Sequence, residues 1–249
     1  MNCNKSCAFC HSFYTKPKEL PYVDNSVILS KLIKAGINRV TISGGEPLLY
    51  SNIYNIVKSL HCHGINVTII SNGFIPENIE VYRNVEEIVF SLDSVDPVIN
   101  ESIGRGAKHQ YEVVEALRIA RQLNPGVRIR INSVVSKINM SFLNDVGLFL
   151  RVHNISKWRL FKFAALREKS KLNKDRFQIP ETDYLNIVKQ LQKSFTVIEI
   201  QTRFTIDYET MYLLLLPNGN MVRTIKQDDQ VIGNILDDDL TNIFKTLCC

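Results

Sequence analysis

Three cysteines fall within the first ten residues, at Cys3, Cys7 and Cys10, and further along the chain runs Ser43-Gly44-Gly45-Glu46-Pro47. Thiolates bind soft metals, and a four-iron cubane ordinarily takes four of them. Three thiolates leave one iron open to a ligand that is not protein. The same cysteines could instead hold a structural zinc ion, completed by His11 or by the cluster His61-Cys62-His63. Structural zinc sites usually draw on two separated ligand pairs, a spacing this chain lacks. Iron therefore suits the cysteines better. In the second motif the glycines allow close approach of backbone to a ligand. The Glu46 carboxylate can accept from an ammonium group, and Pro47 suits the opening of a helical turn.

Such groups need a frame. Short β-branched, apolar runs alternate with stretches of helical period, the pattern of βα units on a parallel sheet. Strands are expected at Arg39–Ser43, Asn66–Ser71, Glu87–Asp93, Arg128–Val134 and Trp158–Phe163. Helices are expected at 26–35, with Asp24 and Asn25 as cap candidates and Gly36 after it, and near 52–63, 77–83, 109–123, 141–151 and 181–194. Residues 164–180 are polar, with Lys169, Lys171, Lys174 and Arg176, and are expected to form a linker or an active-site loop. Runs on either side of Pro217-Asn218-Gly219-Asn220 predict a hairpin, because Asn-Gly supplies the backbone of a tight turn. The division expected is a core domain over residues 1–195 and a C-terminal extension over 196–249 that covers the mouth of the core.

Strand alternation assigns the faces. Val40, Ile42, Ile88, Phe90, Leu92, Ile129 and Ile131 should face helices. Arg39, Thr41, Ser43, Ser91, Asp93, Arg128, Arg130 and Asn132 should face inward. On the fifth strand Lys157, Arg159, Phe161 and Phe163 share one face, opposite Trp158, which is expected in the core. Arginines pointing into a barrel are costly unless paired, so this face is expected to want an anion, with Arg105 adding to it. The planar guanidinium suits phosphate.

The chain has 249 residues, 45% of them hydrophobic and 22% charged, and a net charge of +5. That is enough for one large domain or a core with a small appendage. Its six cysteines, grouped at the ends apart from Cys62, predict a reduced cytoplasmic protein and no secreted disulfide scaffold. No leader or long apolar run predicts secretion or a membrane span, and no basic run predicts nucleic-acid binding.

The cysteine triplet and the Gly-Gly-Glu-Pro segment together resemble the radical S-adenosylmethionine (radical SAM) superfamily. The resemblance implies an α/β fold, a partial (β/α)6 barrel with a small C-terminal extension. A family strand precedes the cysteine loop, whereas only Met1 and Asn2 precede Cys3 here, so that first strand lies upstream or is missing. It further implies a 4Fe-4S cluster on Cys3, Cys7 and Cys10, with S-adenosylmethionine on the open iron. Ser43, Gly44, Gly45, Glu46 and Pro47 would lie against its methionyl group, with Asn72, Ser91 and Asp93 as further contacts. An electron donor such as flavodoxin or ferredoxin is implied as a partner.

Asp93-Ser94-Val95-Asp96, Ile103-Gly104-Arg105-Gly106, Arg130-Ile131-Asn132-Ser133-Val134 and Lys157-Trp158-Arg159-Leu160-Phe161 resemble, in order, segments of viperin and its prokaryotic relatives. That branch implies a nucleoside triphosphate as substrate, dehydrated to a 3'-deoxy-3',4'-didehydro nucleotide. Arg105, Arg130, Asn132 and Arg159 would contact it, with Arg39 as a further candidate. Arg130 and Arg159 stand where viperin has lysine, which keeps the charge and changes its geometry. The alternative is a radical SAM enzyme acting on a peptide or another small metabolite, since the tail from Leu216 resembles extensions of peptide-maturing members. Cys248 and Cys249 are too close together to hold a second cluster in the usual spacings. No catalytic acid or base is assigned.

Overall fold

The computed structural model describes residues 2–10, 25–204, 206–207, 213–226, 228–238 and 240. Cap candidate Asp24 and residues His11, Cys248 and Cys249 lie outside them. Six parallel strands form one sheet in sequential order: β1 (Arg39–Ile42), β2 (Asn66–Ser71), β3 (Glu87–Ser91), β4 (Arg128–Val135), β5 (Lys157–Lys162) and β6 (Glu199–Arg203). The sheet is open, since β1 and β6 do not pair. Among the described residues no strand lies outside β1.

The helices are α1 (Asn25–Lys34), α2 (Ile53–Cys62), α3 (Pro97–Ile103), α4 (His109–Leu123), α5 (Leu143–Val152), α6 (Glu168–Leu172), α7 (Lys174–Phe177) and α8 (Glu181–Ser194). None among the described residues is long and apolar enough to cross a membrane.

The expected faces hold. Ile69, Ile88, Phe90, Ile131, Trp158 and Leu160 are buried in the core beneath the helices, with Val40 and Ile42 packed against it. Trp158 is fully buried, and its indole N–H donates to Ser133 Oγ at 2.8 Å, the partner a buried indole requires.

Four elements differ from expectation. Residues 77–83 were expected as a helix but form a 3-10 turn at Ile79–Asn84. Its buried residues, Val81 and Tyr82, are adjacent and make no helical stripe. Helix α3 was not expected, although both of its ends are signalled. Asp96 Oδ1 caps it by accepting from Val98 and Ile99 N–H, Pro97 opens it, and Gly104 closes it in the left-handed region at φ 86°. The segment expected as a linker or loop over 164–180 folds into α6 and α7. Finally, β6 carries the parallel sheet past residue 195.

The predicted hairpin exists within a three-stranded antiparallel sheet of β7 (Leu213–Leu215), β8 (Asn220–Ile225) and β9 (Asp228–Asn234). Met221, Ile235 and Leu240 pack on Ile28 and Leu32 of α1. Lys31 donates to the Leu236 carbonyl, and Arg167 forms a fork on Asp229 at 2.7 and 2.9 Å. The small sheet is thereby tied to α1, beside β1, and to the segment following β5.

Candidate active site

The cysteine loop is seated by backbone. Ser6 and Ala8 N–H donate to the carbonyls of Gly104 and Ile103 at 3.1 and 3.0 Å, and Glu46 N–H donates to the Asn2 carbonyl at 2.9 Å. Two glycines make that fit possible. A Cβ at Gly45 would stand 2.0 Å from the Asn2 oxygen, and one at Gly104 2.7 Å from the Ser6 oxygen. Side chains complete the seat. Lys5 is ion-paired to Glu112 of α4, Lys169 donates to the Ser6 carbonyl at 2.8 Å, and Phe9 meets Phe177 edge-on at 5.6 Å.

None of the three thiols is in a disulfide. Cys3 Sγ has two donors near it, Lys5 N–H at 3.4 Å and Asn72 Nδ2 at 3.7 Å. Burial pushes the Cys7 thiol up, opposed by the Arg105 guanidinium beside it; iron coordination would deprotonate the thiol outright.

Glu46 is buried, with Oε1 accepting from Leu48 N–H at 3.1 Å and Oε2 from Asn72 N–H at 2.7 Å. Its carboxylate thus ties the turn after β1 to the end of β2. Burial raises its pKa, partly offset by those two N–H groups. Asn72 Oδ1 is buried without a partner.

Asp93 and Arg105, twelve residues apart in sequence, meet because α3 folds the chain back. Ser94 Oγ accepts from Asp96 N–H, and Asn100 Nδ2 donates to the Ser94 carbonyl. Arg105 Nε then donates to Asp93 Oδ2 at 2.8 Å, both side chains being buried. Burial opposes the guanidinium's charge, but Cys7 and Asp93 beside it raise its pKa on balance. Asp93 Oδ1 accepts from Val134 N–H at 2.7 Å, so both carboxylate oxygens are engaged within the protein. Arg105 also lies 5.5 Å over the Phe9 ring. The contacts of this arginine are with the cysteine loop and Asp93.

The inward side chains of β3 to β6 fall in rows. Val89 aligns with Arg130; Ser91 aligns with Asn132, Arg159 and Gln201; Val134 aligns with Phe161 and Arg203, nearest the C-terminal strand ends. Ligand sites of open α/β sheets lie at those ends.

The anion expected for Arg130 is supplied in part by the protein. Glu87 of β3 approaches its Nη2 at 3.2 Å, while its Nε stays buried without a partner. Asn132 Oδ1 is likewise buried and unpartnered. Arg159 donates through Nε and Nη2 to Gln201 Oε1 at 3.1 and 2.7 Å. Arg39 is exposed at the N-terminal end of β1, paired in register with Asn66, and is not brought together with these residues.

Sequence reasoning missed four residues. Gln201 and Arg203 sit on the unexpected β6. Asn139 Nδ2 donates to the carbonyls of Asp93 and Val134, at 2.8 Å each, joining the ends of β3 and β4. His109 is buried, with Nε2 at 2.8 Å from the Ser91 carbonyl and Nδ1 at 3.6 Å from Glu112; burial lowers its pKa. Its place three residues after Gly106, at the start of α4, was the available signal.

Among the described residues no three His, Cys, Asp or Glu side chains gather around one ion, the cysteine triplet included, and His11 of the zinc alternative lies outside those residues.

The profile of the Radical SAM superfamily matches residues 1–139, more than half of the chain. The chain belongs to the radical SAM superfamily. An S-adenosylmethionine-dependent nucleotide dehydratase of Selenomonas ruminantium is 21% identical over 255 residues, spanning 97% of this chain and 90% of that protein. A protein of the same description from Psychrobacter lutiphocae reaches 30% over 186 residues, 64% of this chain and 61% of its own. A GTP 3',8-cyclase of Aquifex aeolicus is 24% identical, covering 81% of this chain and 72% of the relative.

Among solved structures, Streptococcus suis SuiB bound to precursor peptide SuiA superposes with a TM-score of 0.76 at 18% identity, over 98% of this chain. That likeness is one of fold, and this chain spans only 62% of SuiB.

Membership implies a 4Fe-4S cluster and S-adenosylmethionine, the latter bound in another SuiB structure. The residues present fit both groups. Three thiols outside any disulfide share one loop seated by backbone hydrogen bonds, two donors lie near Cys3 Sγ, and the buried Asn72 Oδ1 lacks a donor beside that loop.

Proposed function

We propose that this radical SAM enzyme dehydrates a nucleoside triphosphate to a 3'-deoxy-3',4'-didehydro nucleotide. The observation that carries this reading is the inner face of β4, where Arg130 Nε and Asn132 Oδ1 are buried without partners, in line with Arg159 of β5. Buried polar atoms left without partners are costly, and a ligand bearing phosphate oxygens and hydroxyl groups would satisfy both kinds. The relatives described as nucleotide dehydratases and GTP cyclases add support. The shared fold with SuiB does not select a peptide substrate.

Cys3, Cys7 and Cys10 would hold the cluster. Ser43, Gly44, Gly45, Glu46 and Pro47 would line the methionyl end of the cosubstrate, with Asn72 and Ser91 beside it. When bound, the cluster and S-adenosylmethionine supply an electron and a 5'-deoxyadenosyl radical for hydrogen abstraction. The electron would come from a flavodoxin or ferredoxin.

The protein's part is positioning. Arg130, Asn132 and Arg159 hold the nucleotide so that its ribose 4'-hydrogen faces the radical source, and near-attack geometry of this kind removes much of a barrier. Asp93 fixes Arg105 under the cysteine loop and the Val134 backbone at the end of β4. The nucleotide's own change equals loss of one water: its 4'-hydrogen atom would leave in 5'-deoxyadenosine and its 3'-hydroxyl as water, with one proton and a second electron from the same flavodoxin or ferredoxin completing that water and the new C3'–C4' double bond.

Anaerobically reconstituted enzyme, given S-adenosylmethionine and reductant, should form more 5'-deoxyadenosine with one of CTP, GTP or UTP. It should also yield a nucleotide lighter by one water. If no member of the panel changes either readout, the nucleotide assignment is wrong.

A further inference from the structure

We infer that Arg203 of β6 binds the outer phosphates of the substrate, a role that rests on the nucleotide assignment above. The strand fixes its direction. Ile200 packs against the core beneath the helices, so Glu199, Gln201 and Arg203 alternate onto the inner face. Gln201 confirms that face by accepting from Arg159. Arg203 aligns with Phe161, one inward position closer to the C-terminal strand ends than Arg159.

Its electrostatics set it apart. Arg105 faces Asp93, Arg130 faces Glu87, and Lys157 faces Glu199 at 3.8 Å. Arg203 has no carboxylate partner among the described residues. Its Nη1 donates to the Thr202 carbonyl at 2.7 Å, and its Nε is buried with no acceptor.

A half-buried guanidinium held in this way is destabilising until an anion arrives. The planar fork then meets two phosphate oxygens at once. The fold does not need the side chain to anchor β6, because the backbone does so. Tyr184 Oη lies 3.4 Å from both the Arg203 N–H and its carbonyl, and donates to the Leu160 carbonyl at 2.7 Å. Loss of the guanidinium should therefore be felt by the ligand before it is felt by the fold.

The test is calorimetric titration of anaerobic holoenzyme, with S-adenosylmethionine and without reductant. The titrants are CTP, GTP and UTP, the monophosphate of whichever binds tightest, and inorganic tripolyphosphate. Arg203→Gln should weaken the triphosphate and tripolyphosphate by about tenfold or more, the worth of one charge-assisted hydrogen bond. The monophosphate should change little. Arg203→Lys should fall between the two proteins and carries the test if the glutamine variant does not fold, with its triphosphate-to-monophosphate preference reduced. S-adenosylmethionine affinity reports whether each variant is intact. Unchanged triphosphate affinity in intact Arg203→Gln overturns this inference and leaves the nucleotide assignment standing. Wild-type enzyme that binds neither nucleotide nor tripolyphosphate overturns both.

Discussion

The two halves of the sheet treat charge in opposite ways. At the ends of β1 to β3 the carboxylates are consumed by the protein: Glu46 by two backbone N–H groups, Asp93 by Arg105 and the Val134 N–H. On β4 and β6 two guanidinium groups, those of Arg130 and Arg203, each keep a buried Nε without a hydrogen-bond partner. The first half therefore builds a rigid seat for the cysteine loop before any ligand binds. The second keeps donors in reserve, which lowers stability and favours an anion. On the function proposed above, the first half would keep the cluster fixed from one turnover to the next while the second exchanges substrate and product.

The comparison breaks most easily at Asp93. Asp93→Ala strands Arg105 in the interior, and removing one member of a buried pair costs about 3–5 kcal/mol. Denaturant unfolding should show that loss. A stability change within experimental error would mean that Arg105 finds water or another partner, and that the first half is not prebuilt. Next in size is Gly45→Ala. Its new Cβ would collide with the Asn2 oxygen, and backbone cannot yield as a flexible side chain can. The variant should fold yet retain far less iron after anaerobic reconstitution, measured per polypeptide. Full iron content would show that the cysteine loop can be seated elsewhere.

Legibility in the sequence followed the same division. Alternation alone named the helix-facing residues Val40, Ile42, Ile129, Ile131 and Trp158, because apolar burial is a local property of a strand. It also named Arg130 and Asn132 as inward. It could not name Glu87 as the partner of Arg130, since that contact depends on how β3 and β4 align across a connection of more than thirty residues. Strand β6 escaped because Glu199-Ile200-Gln201-Thr202-Arg203 contains a single apolar residue, too weak a pattern to stand out. Helix α3 was different, as its Asp96-Pro97 start and Gly104 stop were both present. The role of Gly45 as a contact point for Asn2 came only with the fold, although a need for close backbone approach was readable.

Acid sharpens the comparison on the cofactor side. His109 and Lys5 hold the Glu112 carboxyl down from 4.5 to about 2. A carboxyl depressed in the folded state contributes stability that is whole above its unfolded pKa of about 4.5 and is lost as pH falls toward about 2. Wild-type protein should therefore lose stability steeply across that window, and Glu112→Gln should lose less. Because Glu112 is partly exposed, the difference should shrink in high salt. Parallel acid curves for the two proteins would mean that the Lys5 contact does not fasten the loop to α4.

The smallest effect is expected at Arg128, which makes the sharpest control for the substrate side. Arg128 and Arg130 lie two residues apart on one face of one strand, and each meets a glutamate. Arg128 touches Glu86 at 2.6 Å with both side chains about half exposed, whereas the Arg130 and Glu87 side chains are 12% and 13% exposed. Exposed pairs are worth about 0–1 kcal/mol, so Arg128→Ala should barely move the unfolding midpoint and leave nucleotide affinity unchanged. Arg130→Ala strands Glu87 and removes a donor from the reserve, so stability and affinity should both fall. If the two variants behave alike, depth within the sheet is not what separates a structural arginine from a ligand-binding one, and the rows of β4 to β6 lose their meaning as a site.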